Sequence, residues 1–90
     1  MNVIYIEGSR MTGRRQAHEY LSEKLSFPEY YGHNLDALAD VLWELQADTC
    51  IVLLEEDALA ENLGRYGETL IRVLTDAAAA SKHLKLIRFN

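Results

Sequence analysis

Apolar residues fall in blocks of two different periods, and the blocks predict the elements. Asn2 to Glu7 holds Val3, Ile4, Tyr5 and Ile6 in succession, and consecutive rather than alternate apolar positions suit a strand covered on both faces. Gly8 ends it. From Thr12 the period lengthens: Ala17, Leu21 and Leu25 recur at every fourth position with Arg14, Arg15, Glu19, Glu23 and Lys24 outside. That is the pattern of an amphipathic helix, stopped before Pro28. Phe27 to His33 reads as a loop, fixed by the only proline and closed by Gly32, where a positive φ costs nothing. Asn34 is placed to cap a second helix by accepting from a first-turn amide. Leu35, Leu38, Leu42 and Leu45 give that helix one apolar stripe.

After Asp48 and Thr49, Cys50 to Leu54 is a second continuous apolar run and predicts a buried strand. Asp57 can cap a short third helix ending near Gly64. A fourth is predicted from about Glu68 to Ser81, with Leu70, Val73, Leu74 and Ala77 inside and Lys82 and His83 near its negative end. Leu84 to Phe89 alternates Leu84 and Leu86 with Lys85 and Arg88, as a half-exposed edge strand does. The order β-α-α-β-α-α-β makes this an α/β chain. Helical connections favour a three-stranded parallel sheet packed with about four helices and right-handed crossovers. Ninety residues suit one domain over 1–90 with a modest core.

Charge adds what periodicity does not show. Between Lys24 and Arg65 there is no lysine or arginine, yet the stretch holds Glu29, Asp36, Asp40, Glu44, Asp48, Glu55, Glu56, Asp57 and Glu61. The chain's −5 is therefore −9 in the middle with +1 before it and +3 after it. Folding is expected to gather this charge on one part of the surface, which would repel phosphate and attract a basic protein. No apolar run approaches a membrane span or a signal-peptide core, and Cys50 is the only cysteine. The expected compartment is the reducing cytoplasm.

Catalytic and nucleic-acid readings find little support. His18, His33, His83 and Cys50 fall on four separate elements without metal-ligand spacing. Gly8 to Gly13 lacks the P-loop lysine and the dinucleotide-binding spacing. Cys50 sits in the most apolar run, where a core thiol is favoured over a nucleophile. Arg10, Arg14 and Arg15 form a small basic cluster, but the acidic middle opposes a phosphate backbone. No cofactor, metal or enzymatic activity is expected.

The informative stretch runs from Pro28 to Asp40. On the second helix Asp36, Asp40 and Glu44 stand at i, i+4 and i+8, so three carboxylates stack on one face beside Trp43. Such like-charge pairs destabilise a helix by a few tenths of a kcal/mol each, and no base in the segment relieves them. An external cation would. Asp36 gains from the helix dipole if Asn34 is the cap, whereas Asp40 lies beyond that benefit. Of the adjacent Tyr30 and Tyr31, one ring is expected to pack inward and the other to face out. Trp43 suits either a contact or the core edge, and Glu44 either contact or solvated surface.

These residues carry a resemblance. Pro28-Glu29-Tyr30-Tyr31-Gly32, then Asn34-Leu35-Asp36-Ala37-Leu38 and Asp40, is similar almost position for position to the signature of the barstar family, intracellular inhibitors of a secreted guanyl-preferring ribonuclease. The resemblance implies that the second helix and its preceding loop plug a nuclease active site. Asp40 would take the place of a substrate phosphate, Asp36 would lie beside it, and Tyr30 would pack against the enzyme. It also implies a contact from an acid on the fourth helix, for which Asp76 is the candidate. Well-studied members have tryptophan where this chain has Ala39, which removes contact area between the two aspartates and points to a changed specificity.

The sequence thus predicts a monomeric inhibitor of a basic, extracellular-type ribonuclease. Its partner-binding residues are Tyr30, Tyr31, Gly32, Asn34, Leu35, Asp36, Ala39, Asp40, Trp43, Glu44 and Asp76. The rivals are a barstar-like module acting on another basic protein, and a small enzyme, which would show turnover.

Overall fold

In the computed structural model, which describes residues 1–89, the order is β1 (Asn2–Glu7), a 3-10 turn (Gly8–Arg10), α1 (Arg14–Leu25), α2 (Leu35–Trp43), β2 (Thr49–Leu54), α3 (Glu56–Leu63), α4 (Arg65–Ala80) and β3 (Leu84–Arg88). This is the predicted β-α-α-β-α-α-β α/β fold. The three strands are parallel in the order β1-β2-β3. Asn2 is opposite Thr49, which is opposite Leu84, and the register continues along each strand.

That order decides where the helices go. Two right-handed crossovers stepping the same way across a sheet deliver their helices to the same face. Ile4, Ile6, Ile51, Leu53, Leu84 and Leu86 accordingly join the core with Leu21, Leu38, Leu42, Leu59, Leu70 and Leu74 from the four helices. On the opposite sheet face the edge residues Val3, Tyr5 and Ile87 are exposed, while Cys50 and Val52 of the central strand are buried between their neighbours. Here the sequence reading of β1 is corrected: it is an edge strand covered on one face only, with Val3 and Tyr5 more than half exposed. Only the central strand β2 is buried along most of its length.

Two helix starts also differ from expectation. Glu55, not Asp57, occupies the N-cap of α3, in the left-handed region at φ 58°. Its carbonyl oxygen lies where a Cβ on residue 8 would stand, so this tight passage requires Gly8. Asp57 sits inside the first turn, where the helix dipole favours its charge. The fourth helix begins at Arg65 rather than near Glu68, because Gly64, at φ 56°, both ends α3 and opens α4 without an intervening loop. Leu45 falls just past α2 and is half-buried against the core.

Cys50 is 5% exposed in the middle of the sheet. Cys50→Ala is expected to lower stability by about 1 kcal/mol in urea unfolding, and native Cys50 should label slowly with a thiol reagent.

Candidate functional site

The site grows from the loop between α1 and α2. The Tyr31 amide donates to the Pro28 carbonyl at 3.0 Å, closing a turn that sends two adjacent rings in opposite directions. Tyr31 is 5% exposed and Tyr30 is 79% exposed. Tyr31 packs tilted on Phe27 and edge-on to His33. Its hydroxyl lies 2.6 Å from His18 Nδ1, and the Tyr66 hydroxyl lies 2.6 Å from His18 Nε2. A neutral imidazole has one donor and one acceptor nitrogen, so one tyrosine hydroxyl donates to the ring and the other accepts from it. The Arg14 guanidinium covers the Tyr66 ring at 4.4 Å. One imidazole therefore ties the loop to both α1 and α4.

Burial sets the protonation of this cluster. It lowers the pKa of His18, helped by repulsion from His33. Burial, and secondarily the neighbouring Tyr66, push Tyr31 far above its ordinary range. Burial also raises Tyr66, against the opposing charge of Arg14. All three side chains are held neutral near pH 7.

The next residues start α2. Asn34 Oδ1 accepts from the Ala37 amide at 2.8 Å and its Nδ2 donates to the Gly32 carbonyl at 3.1 Å. The same side chain caps the helix and pins the loop. Gly32 is open to solvent, but a Cβ there would press on Asn34 Nδ2 and the Ala37 Cβ. Leu38 and Leu42 are buried and Leu35 is half-buried, which leaves Asp36, Ala39, Asp40, Trp43 and Glu44 exposed in succession along the helix.

Among the described residues no ion pair reaches Asp36, Asp40 or Glu44, whereas three other central acids have partners. Asp48 meets His83, Glu56 meets Arg88 at 2.8 Å, and Glu55 accepts from Ser9. The acidic middle divides between two helices that both pack on α4. Its second half goes to α3, which packs on the 3-10 turn and α4, and its first half to α2.

Most of the predicted contact residues share the face formed by the loop and α2, and Asp76 joins them from α4. Ala39, Trp43 and Asp76 line a single recess of about 280 Å³ together with Val73, Ala77 and Ala80. Tyr31 and Leu35 are the exceptions: the Tyr31 ring is withdrawn beneath the surface and positions the loop, and Leu35 is half-buried against the core. Sequence reasoning missed His18 and Tyr66. A signal existed for His18, which stands three before Leu21 and seven before Leu25 and so lies on the inner stripe of α1. Among the described residues, no three of His, Cys, Asp and Glu converge as a metal site would need.

The loop and α2 thus present a capped acidic helix beside a displayed tyrosine. Residues 1–88 match the family model described as "Barstar (barnase inhibitor)", and the chain belongs to the barstar family. At family level it is a ribonuclease inhibitor and not an enzyme. It is 35% identical over 79 residues to a Bacillus subtilis (strain 168) protein named "Putative ribonuclease inhibitor YrdF", covering 86% of each chain. No described helix is long and apolar enough to cross a membrane.

Proposed function

We propose that this protein inhibits a basic, guanyl-preferring ribonuclease of the barnase type in the cytoplasm, as a free monomer that shields the producing cell. The loop and α2 would enter the nuclease's active site, with Asp40 in the place of an RNA phosphate, Asp36 beside it and Tyr30 packed against the enzyme. The observation that carries this reading is the state of Asp40. It is exposed on a helix fixed at its N-terminus by Asn34, with no partner of its own among the described residues. A nuclease holds arginine, lysine and histidine in its cleft for phosphate, and a preorganised carboxylate can use the same donors without a large ordering cost.

The deciding experiment assays RNA cleavage by a panel of purified ribonucleases with and without the protein. Stoichiometric inhibition of a small basic ribonuclease supports the proposal, and no inhibition of any member sinks it. Capture of a basic protein that is not a nuclease would favour the rival module.

The charge distribution adds a kinetic expectation. Association with a basic partner should slow markedly as ionic strength passes roughly 0.1 M, where the Debye length is about 10 Å. Barnase with barstar, the family's own pair, is a standard case of such steering, so only the direction is claimed. Stopped-flow association rates that do not change with salt would exclude it.

A further inference from the structure

The arginines at the start of α1 take no part in phosphate mimicry. Arg14 and Arg15 open that helix with no acid in its first turn. Arg15 is paired with Glu19 at 3.0 Å, whereas no ion pair reaches Arg14 among the described residues. The Arg14 guanidinium is nevertheless held in place. It lies 4.4 Å from the centroid of the Tyr66 ring, and the Tyr66 hydroxyl is itself 2.6 Å from His18 Nε2. Stacking occupies one face of a guanidinium and leaves the N–H donors in its own plane free. Arg14, Arg15 and Tyr66 line a hollow of about 480 Å³ whose lining continues with His33, Asn34 and Asp36, so it opens beside the first turn of α2.

We propose that this hollow is a subsite for a carboxylate of the partner, an aspartate or glutamate that accepts from the in-plane N–H groups of Arg14 in a bidentate pair. The partner then carries an acid at the edge of its basic cleft. The proposal rests on the reading of α2 as the inhibitory face, and names one side chain which the border of that face receives.

Three features select a carboxylate. A planar fork of N–H donors matches the two oxygens of a carboxylate, and a guanidinium already stacked has less freedom to lose on binding. The hollow shares Asn34 and Asp36 with the inhibitory face, so a partner docked on α2 would cover Arg14, and a covered guanidinium without a counter-charge is costly. Asp36 decides between anions. It lines the same hollow, yet no ion pair joins it to either arginine among the described residues. A single carboxylate can meet Arg14 and stay clear of Asp36, whereas an RNA strand would bring a further phosphate toward Asp36 and Asp40 at every nucleotide.

The test titrates the full, isotope-labelled chain at one ionic strength with acetyl-tetraglutamate amide and, separately, with pentauridylate. The readout is the nuclear magnetic resonance of the Arg14 side-chain Nε–H and of the His33 and Asn34 amides. Both probes carry the same charge, so general repulsion by an acidic protein cancels in the ratio of affinities. Tetraglutamate is expected to move these resonances at a concentration about tenfold lower than pentauridylate. Arg14→Gln, at an exposed position, should weaken tetraglutamate about tenfold as read from the two amides. Arg14→Lys keeps the charge without the fork and should remain several-fold weaker than the native protein. Resonances that tetraglutamate leaves unmoved, equal affinities for the two probes, or full binding by either variant would overturn the proposal. No nuclease enters this experiment. Failure here therefore counts against the subsite, and failure to inhibit any ribonuclease of the panel counts against the inhibitory reading.

Discussion

Asp40→Ala is expected to remove most of the inhibitory affinity while leaving the free protein as stable as before or slightly more so. In the free protein Asp40 stands one turn from both Asp36 and Glu44, and no cation reaches it among the described residues. Its removal relieves repulsion worth a few tenths of a kcal/mol per pair and introduces the best helix former. In the complex the same change would leave a nuclease's cationic pocket buried without its counter-charge, a loss of about 3–5 kcal/mol. Asp36 behaves differently. It lies in the first turn of a helix capped by Asn34, where the dipole favours an anion by about 0.3–1 kcal/mol, so Asp36→Ala should cost stability as well as binding. Thermal unfolding and inhibition of both variants decide the matter. A destabilised Asp40→Ala with full inhibition would remove α2 from the binding surface.

The second large effect is expected at His18. Leucine in its place would leave the Tyr31 hydroxyl buried without a partner and oblige Tyr66 to find water. At about 1–3 kcal/mol for each unsatisfied buried group, His18→Leu should lose about 2–4 kcal/mol in urea unfolding at pH 8. Acid should act on the native protein through the same residue. The folded-state pKa of His18 lies below the ordinary 6.5, so the unfolded chain takes up the proton first. The contribution of His18 to stability is complete above about pH 6.5 and declines as pH falls through it, by up to 1.4 kcal/mol per pH unit, until the folded protein is protonated too. His18→Gln keeps the capacity to hydrogen-bond but has no proton to take up, and should lose this slope below pH 6.5. A slope that persists in His18→Gln would assign the titration to another group.

Much of the fold was legible because each element carries one clear period. The fours of Ala17, Leu21 and Leu25, the stripe of Leu35, Leu38 and Leu42 and the solid run from Cys50 to Leu54 each leave little choice of structure. What could not be read locally depends on neighbours. The runs at Val3–Ile6 and Cys50–Leu54 look alike, yet one strand is an edge and the other is central. The first is covered on one face because both crossovers turn the same way. At the third helix, Asp57 is the better cap by side chain, but the chain must pass Gly8 as it leaves β2, and that geometry places Glu55 at the cap. In the candidate site, the sequence showed that one of two adjacent tyrosines must turn inward. The choice of Tyr31 was made by a histidine thirteen positions earlier and a tyrosine on α4.

The register of β1 on β2 joins Asn2 to Thr49 and Glu7 to Leu54, and the whole loop and α2 lie inside that closure. Parallel pairing over so long a separation forms late and slowly in a folding chain, because the loop entropy must be lost before any contact is gained. Until β1 docks on β2 and α4 packs on α2, residues 28–44 lack these supports, and a partner would have to order them itself. Nascent chains would acquire inhibitory strength only when α4 has been made and has packed on α2, and not in proportion to the length already synthesised. Changes that fray β1 at its exposed edge would likewise be felt as faster release of the partner, far from any residue it touches.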